Sequence, residues 1–120
     1  MPVFRDRVKD TSTTAGTGAL TLSGTAPTGY QTFISAFPSL NTPFLYCIVE
    51  GALWETGTGW LSASTTMQRD TAVMDGSSGP GVLVTFTGAS KDVFCTITSH
   101  WCEDVDSGAA YVKSRGWALP

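Results

Sequence analysis

The chain has 120 residues and a mass of 12.7 kDa, the size of one ordinary small domain. Only 14% of the residues are charged, and eighteen Thr and twelve Ser make up a quarter of the chain. This composition excludes a protein built from solvent-exposed helices and favours half-buried strands. The net charge of -3 argues against a nucleic-acid partner, and no apolar run reaches the roughly 18 residues of a membrane span.

The N-terminal third of the chain predicts little regular structure. Residues 1–10 alternate between apolar and charged positions, which predicts an extended arm, and the Thr- and Gly-rich stretch 11–18 predicts a loop. Gly18–Ser23 places Leu20 and Leu22 on one face of a short strand.

One short helical segment is predicted between Tyr30 and Phe37. Tyr30, Phe33, Ile34 and Phe37 follow the i, i+3, i+4, i+7 spacing of one helical face. Pro38 ends the pattern, so we expect one or two turns.

The middle of the chain predicts strands joined by tight turns. Phe44–Val49 is apolar on both faces, as a strand covered on both sides would be. After a hairpin turn at 50–52, Leu53–Ser62 alternates with period two. The alternation is weaker over Thr65–Met74, and Asp75–Gly81 is predicted to be an exposed, mobile loop tip. The last two predicted strands are Val82–Thr87 and Asp92–Thr98.

These elements indicate an all-β fold, either an antiparallel β-sandwich or a small barrel, with one short helical segment near residues 30–37. Turn signals recur every eight to twelve residues, and no predicted helix is long enough for a parallel crossover. We expect one β domain over residues 1–98, with the extended N-terminal arm. Residues 99–120 differ in composition from the rest of the chain, with acidic residues followed by aromatic and basic ones. We expect them to form either an added strand or a docking arm.

Catalytic and metal-binding patterns are weak. His100 is the single histidine, and a Cys102, His100 and Asp104 arrangement would need three neighbours in sequence to converge in space. His100, Cys102, Asp104 and Asp106 would line one side of an extended segment, but they mix soft and hard donors without the usual metal-ligand spacing. We therefore expect no enzyme activity, no cofactor and no metal.

Trp54 and Trp60 are candidate stacking rings for a carbohydrate, with Glu55 as a carboxylate on the same short segment. The alternative interpretation is that these aromatic side chains fill a small core. Paired carboxylates for glycoside hydrolysis are conceivable in any β protein with ten acids. Arg69-Asp70 and Lys91-Asp92 are interpreted as complementary charges on neighbouring strands.

Three cysteines cannot all pair within the chain, and no signal peptide is recognised, so we expect reduced thiols. Cys47 and Cys95 lie within apolar runs, which predicts small, buried and unbridged side chains.

Four segments resemble a small β-rich module found in virion proteins of tailed bacteriophages. They are RVKDTSTTAGTGALTLSGTAPTGYQTF (Arg7–Phe33), WETGTG (Trp54–Gly59), QRDTAV (Gln68–Val73) and KDVFCT (Lys91–Thr96). The family module occurs alone or at the front of head-decoration, head-fibre and tail-fibre type proteins. The resemblance implies a non-enzymatic structural part of a virion, assembled in the bacterial cytoplasm. Residues 99–120 lie outside it, which favours a free-standing decoration or connector subunit over a complete fibre.

The expected partners are other copies of the chain, in a homotrimer, and the major capsid or tail proteins of the virion. Aromatic and Arg side chains are enriched in protein interfaces, and both ends of the chain carry them. Such an end could add as a strand to a neighbour's sheet. The candidate contact residues are Phe4, Arg5, Arg7, Tyr111, Arg115 and Trp117. A tail or tail-fibre component that binds carbohydrate is the alternative.

Overall fold

The computed structural model describes residues 2–107, which form seven strands and two helices. The predicted tail residues Tyr111, Arg115 and Trp117 lie outside this range. The elements, in chain order, are β1 (Lys9–Ser12), β2 (Leu20–Thr21), α1 (Phe33–Ala36), β3 (Phe44–Glu50), β4 (Leu53–Ala63), β5 (Thr66–Arg69), β6 (Asp75–Gly76), β7 (Lys91–Cys95) and α2 (Ser99–Ser107).

The strands form one antiparallel sheet that nearly closes into a barrel. Its order is β1-β7-β3-β4-β5-β2, and β6 pairs with β4 at the side. The two ends of the sheet meet where Ser12 bridges Leu22 and the Ser23 amide donates to the Thr11 carbonyl oxygen at 2.9 Å. This architecture confirms the predicted all-β class in its small-barrel form.

The barrel interior is filled by alternate residues of each strand, as the two-residue period of a strand requires. On β3, Phe44, Tyr46 and Ile48 are fully buried. The short helix α1 packs against them, and its C-cap residue Phe37 stacks on Phe44 with ring centroids 4.7 Å apart. The members of the apolar core are Val8, Leu20, Leu22, Phe33, Ala36, Phe37, Phe44, Tyr46, Ile48, Leu61, Met67, Val84, Phe86 and Val93.

The helix prediction is confirmed, in a shorter form. Thr32 caps the N-terminus of α1, because its side chain accepts a hydrogen bond from the Ser35 amide at 3.2 Å. The helix ends at Ala36, just before Phe37 and Pro38. Phe33 is buried from this helix, whereas Tyr30 precedes it and lies at the surface cleft described below.

The predicted strands at 44–49 and 53–62 are confirmed as β3 and β4. Glu50 pairs with Leu53, so Gly51 and Ala52 form a two-residue hairpin turn. Gly51 has φ 58, which suits such a turn. The predicted strands at 18–23 and 92–98 correspond to the shorter β2 and β7.

The N-terminal prediction is wrong in part. Lys9–Ser12 is strand β1, paired with β7, so residues 9–12 belong neither to a free arm nor to a loop. The loop tip predicted at 75–81 also begins as a strand, since β6 pairs with β4 and Gly76 is buried. In both places the pairing partner is distant in sequence.

The predicted strand Val82–Thr87 is not a strand. Within it, Phe86 alone bridges another segment, at Gly16. The Val84 amide donates to Glu55 Oε1 at 2.8 Å, and the Thr87 amide donates to Glu50 Oε2 at 3.3 Å. These two backbone amides, which would pair with a neighbouring strand in a sheet, donate to buried carboxylates instead.

Candidate partner-binding surface

The N-terminal segment lies on the surface of its own barrel. The Val3 amide donates to the Pro43 carbonyl oxygen at 2.8 Å, which ties the segment to the start of β3. Phe4 is 39% exposed, and its ring meets that of Trp101 on α2 edge to face, with centroids 5.1 Å apart. Arg5 is exposed and bonds locally to the Phe4 carbonyl oxygen. The arm is therefore part of a formed surface.

Arg7 takes a left-handed backbone conformation, with φ 56, that non-glycine residues rarely adopt. The Gln31 backbone amide donates to the Arg7 carbonyl oxygen at 2.7 Å, and the Gln31 side-chain Nε2 donates to the Asp6 carbonyl oxygen at 2.7 Å. The Arg7 Nε donates to the Gly29 carbonyl oxygen at 3.1 Å. These bonds hold the Arg7 backbone in place and aim its guanidinium across the surface.

The guanidinium of Arg7 lies over the ring of Tyr30, with its central carbon 4.0 Å from the ring centroid. Lys9 Nζ lies 5.3 Å from the same centroid. Both distances fit cation–π contact. The helical spacing of Tyr30 did not predict its place in this cleft; its neighbours Pro27 and Gly29, typical of a turn, were the available signal.

Two surface depressions meet at Arg7 and Cys95, which line both. A cleft of about 340 Å³ is lined by Arg7, Val8, Lys9, Tyr30, Phe94 and Cys95. A groove of about 240 Å³ is lined by Val3, Phe4, Arg5, Asp6, Arg7, Leu45, Cys95, Thr96 and Ile97. Ile97 is 59% exposed. The predicted contact residues Phe4, Arg5 and Arg7 are thus brought together at the groove.

The two candidate stacking residues lie on the outer face of β4. Trp54 is 38% exposed and Trp60 is half-buried, so the interpretation that they fill the core is wrong. Glu55 points into the barrel and is fully buried, so it cannot join them at a sugar. Trp60 follows Trp54 by six positions, which places the two residues about 20 Å apart along an extended strand.

Glu55 instead forms a buried ion pair with Arg69 of β5. Arg69 Nη1 lies 2.9 Å from Glu55 Oε1, and the Tyr46 hydroxyl donates to Glu55 Oε2 at 2.5 Å. Arg69 also donates to the carbonyl oxygens of Gly16, Gly18 and Val84. Burial and the neighbouring Glu55 carboxylate raise the pKa of Tyr46 above its ordinary range. The network joins three strands and two loops, 13–19 and 77–90.

A second buried pair joins Glu50 and Lys91. Lys91 Nζ lies 3.0 Å from Glu50 Oε1 and donates to the carbonyl oxygens of Thr87 and Ala89. The Thr87 hydroxyl donates to Glu50 Oε2 at 2.6 Å; this bond, with Lys91 beside it, lowers the pKa of Glu50. The predicted pairing of Arg69-Asp70 with Lys91-Asp92 is therefore wrong, because β5 and β7 are not neighbours.

The segment around His100 is helical. His100 and Cys102 lie in α2, where side chains two residues apart point in different directions, so the single extended face considered for a metal does not form. Among the described side chains, those of residues 2–103, no group of three or more His, Cys, Asp or Glu is placed to hold a metal ion.

The cysteines in the described part of the chain are unbridged, as predicted. Cys47 and Cys95 are half-buried and Cys102 is exposed, so the expectation of full burial is wrong. Burial raises the pKa of Cys47 and raises that of Cys95 to about 12. Both thiols therefore stay protonated at neutral pH, and neither is an activated nucleophile.

Comparison with protein-family models, with curated proteins and with solved structures finds no match. Neither helix of residues 2–107 has the length and apolar character needed to cross a membrane. The assignment of function therefore depends on the sequence segments and on the geometry they form.

Proposed function

We propose that the protein is a structural component of a tailed-bacteriophage virion, a capsid-decoration or head-fibre-type subunit that associates with itself and binds neighbouring virion proteins. The proposal comes from the resemblance of four segments to a phage virion module. It gives the protein a non-enzymatic role, located in the virion.

The observation that carries the proposal is what those four segments do together. Each contributes a charged side chain, Asp10, Glu55, Arg69 or Lys91, and all four are buried within the barrel. Glu55 pairs with Arg69 between two of the segments. Asp10 accepts hydrogen bonds from the Ser23 hydroxyl and the Gly24 amide, at the bend that follows β2. Each of the four segments therefore contributes a buried charge to one barrel, which supports their interpretation as parts of one structural module.

The surface described above supports binding to another protein. Phe4 and Ile97 are large exposed apolar side chains that line one groove beside Arg5 and Arg7. Aromatic and Arg side chains are the groups most enriched where proteins make tight contacts. Many equivalent sites on a particle would multiply even a weak contact of this kind.

A tail or tail-fibre component that binds carbohydrate is the second candidate. The observation that favours it is the outward placement of Trp54 and Trp60 on β4, with Thr56 and Thr58 between them. Aromatic rings on an exposed strand, with hydroxyl groups nearby, can stack on sugars.

The test is to locate the protein on particles. Antibodies raised against the purified chain are applied to gradient-purified particles from a phage lysate, and gold labels are imaged in negative stain. Labels on the head at symmetric positions are expected, and labels on the tail would favour the second candidate. A protein that stays at the top of the gradient, with no labelled particle, would contradict both.

A further inference from the structure

We infer that the cleft at Arg7 and the groove at Phe4 form one continuous site for an extended, acidic segment of a partner protein. In that segment a carboxylate side chain and a large apolar side chain lie two residues apart. The inference deepens the proposed function by naming the chemistry of the partner. The composite site is called the arm groove and comprises the residues that line the two depressions.

The cleft half of the arm groove is suited to an anion. The cations of Arg7 and Lys9 both lie over the Tyr30 ring, and neither forms an ion pair with any residue in the described range. The side chains that line this half include no carboxylate. Two cations that share a cleft repel each other, and an incoming carboxylate relieves that repulsion while accepting charge-assisted hydrogen bonds.

The other half is suited to an apolar side chain. Phe4 and Ile97 are exposed at its rim, and Leu45, which is 2% exposed, lies beneath. Besides the shared Arg7, the charged residues that line this half are Arg5 and Asp6. With Lys9 of the cleft, the arm groove as a whole carries three cations and one carboxylate. The apolar rim and the shared Arg7 place an apolar pocket directly beside the cationic one.

This combination favours a protein segment over other anions. A nucleic-acid strand would need a longer track of cations than these three, in a chain whose net charge is -3. Successive side chains of an extended peptide point to opposite sides, so residues two apart can enter the two halves together. Arg7 is held in its left-handed conformation before any partner arrives, which reduces the ordering cost of binding.

The test uses four fluorescein-labelled decapeptides that share a Gly/Ser frame. The first carries two Glu and two Leu, and the others replace Glu by Gln, Glu by Lys, or Leu by Ser. Fluorescence anisotropy with the full chain is expected to show the Glu/Leu peptide binding at least tenfold more tightly than each of the others. Added salt should weaken this binding, since the contact is between exposed charges.

Two variants locate the binding on the arm groove. Arg7→Gly removes the guanidinium and tolerates the positive φ, and Lys9→Gln removes the second cation from the surface of β1. Each should weaken binding of the Glu/Leu peptide by about three- to tenfold, as expected for one charge contact that remains partly exposed to solvent. Ser78→Asp makes the same change in net charge at an exposed position outside the arm groove, and it should leave binding unchanged.

Several outcomes would overturn the inference: no peptide bound at millimolar concentration, equal binding of the Gln/Leu peptide, or affinities unaffected by both variants. Stronger binding of a labelled 12-nucleotide single strand would assign the arm groove to nucleic acid instead. Circular dichroism checks that each variant is folded. If Arg7→Gly is not folded, the Lys9→Gln variant alone tests the site. Because no particle is involved, failure here leaves the location of the protein in the virion to the labelling experiment.

Discussion

At the scale of single residues, buried charges contribute to the stability of this small barrel. Glu55 and Arg69 are almost completely excluded from solvent, with side-chain exposures of 0% and 1%. Taking two charges out of water is costly unless their remaining hydrogen-bonding groups are satisfied. The Tyr46 hydroxyl and the Val84 amide complete the shell of Glu55, and three carbonyl oxygens complete that of Arg69.

Removing one member of this ion pair should lower the free energy of unfolding more than replacing both members. Glu55→Gln leaves the Arg69 charge buried without its counterion, so we expect the free energy of unfolding to fall by about 3–5 kcal/mol. The double variant Glu55→Leu/Arg69→Met should lose less than Glu55→Gln. Urea denaturation measures both. Asp92→Asn removes a carboxylate at an exposed position and should cost under about 0.5 kcal/mol; an equal loss in Glu55→Gln and Asp92→Asn would contradict the assignment.

Glycines at two inward positions of β4 make room for Tyr46. A Cβ at Gly59 would lie 2.7 Å from the Gln68 carbonyl oxygen and 3.1 Å from the Tyr46 ring, and one at Gly57 would lie 2.9 Å from the Tyr46 hydroxyl oxygen. We expect Gly59→Ala to lower the free energy of unfolding by about 1–3 kcal/mol, because backbone must move. Gly18→Ala, where a Cβ meets nothing within 4 Å, is the matched control. Equal melting temperatures for the two variants would show that β4 tolerates the methyl group.

At the scale of elements, the pairing of β3 with β7 brings together groups that keep their protons. Cys47, Cys95 and Tyr46 all lie on these strands, and burial is the first cause of the raised pKa of each. The ordinary pKa is 9.0 for the thiols and 10.0 for the phenol. Above these values the unfolded chain loses protons that the folded chain retains, so stability must fall as pH rises.

The expected result is a urea midpoint that is lower at pH 10.5 than at pH 7, with most of the fall above about pH 9. Cys95→Ser removes one of the three titrating groups and should flatten the fall, whatever its effect at pH 7. A wild-type midpoint that does not change between these pH values would show that the groups titrate alike in the folded and unfolded states.

Helix α2 contributes a surface contact to the barrel. The strands end at Cys95, and Thr98 caps the helix by accepting the Trp101 amide at 3.1 Å. A chain stopped after Thr98 loses the Phe4–Trp101 ring contact, worth about 0.5–1.5 kcal/mol. We expect it to fold cooperatively and to melt within about 10 °C of the full chain. Loss of the near-ultraviolet dichroism signal at room temperature would mean that residues 99–120 belong to the core.

At the scale of the whole molecule, the proposed function predicts an oligomer. Subunits on a particle meet at symmetry axes, and self-association in a closed group is the common arrangement. We expect light scattering to return three times the 12.7 kDa mass of the chain at high protein concentration. A monomer at every concentration, together with single, unassociated copies on labelled particles, would contradict self-association.

Trp117→Ala changes one predicted contact residue and should weaken the binding of the protein to particles by about 2 kcal/mol.

The sequence by itself determined the elements whose causes are local. The continuous apolar run Phe44–Val49 predicted β3, the two-residue alternation of Leu53–Ser62 predicted β4, and the spacing before Pro38 predicted α1. Hydroxyl-rich composition and frequent turn signals indicated the all-β class. Phe4, Arg5 and Arg7 were predicted from residue type to contact a partner, and the structure places all three along one surface groove.

Only the tertiary structure decided which face of β4 is inside. Alternation separates Trp54 and Trp60 from Glu55 but assigns neither face to the core, and hydrophobicity would have chosen the tryptophans. The Glu55 face is inside because its glycines admit the Tyr46 ring and Arg69 neutralises the carboxylate. Arg69 lies 14 residues from Glu55 and 53 from Gly16 in the chain. Long-range contacts of this kind also keep Val82–Thr87 out of the sheet. They have no local signature in the sequence because they form only when the barrel closes.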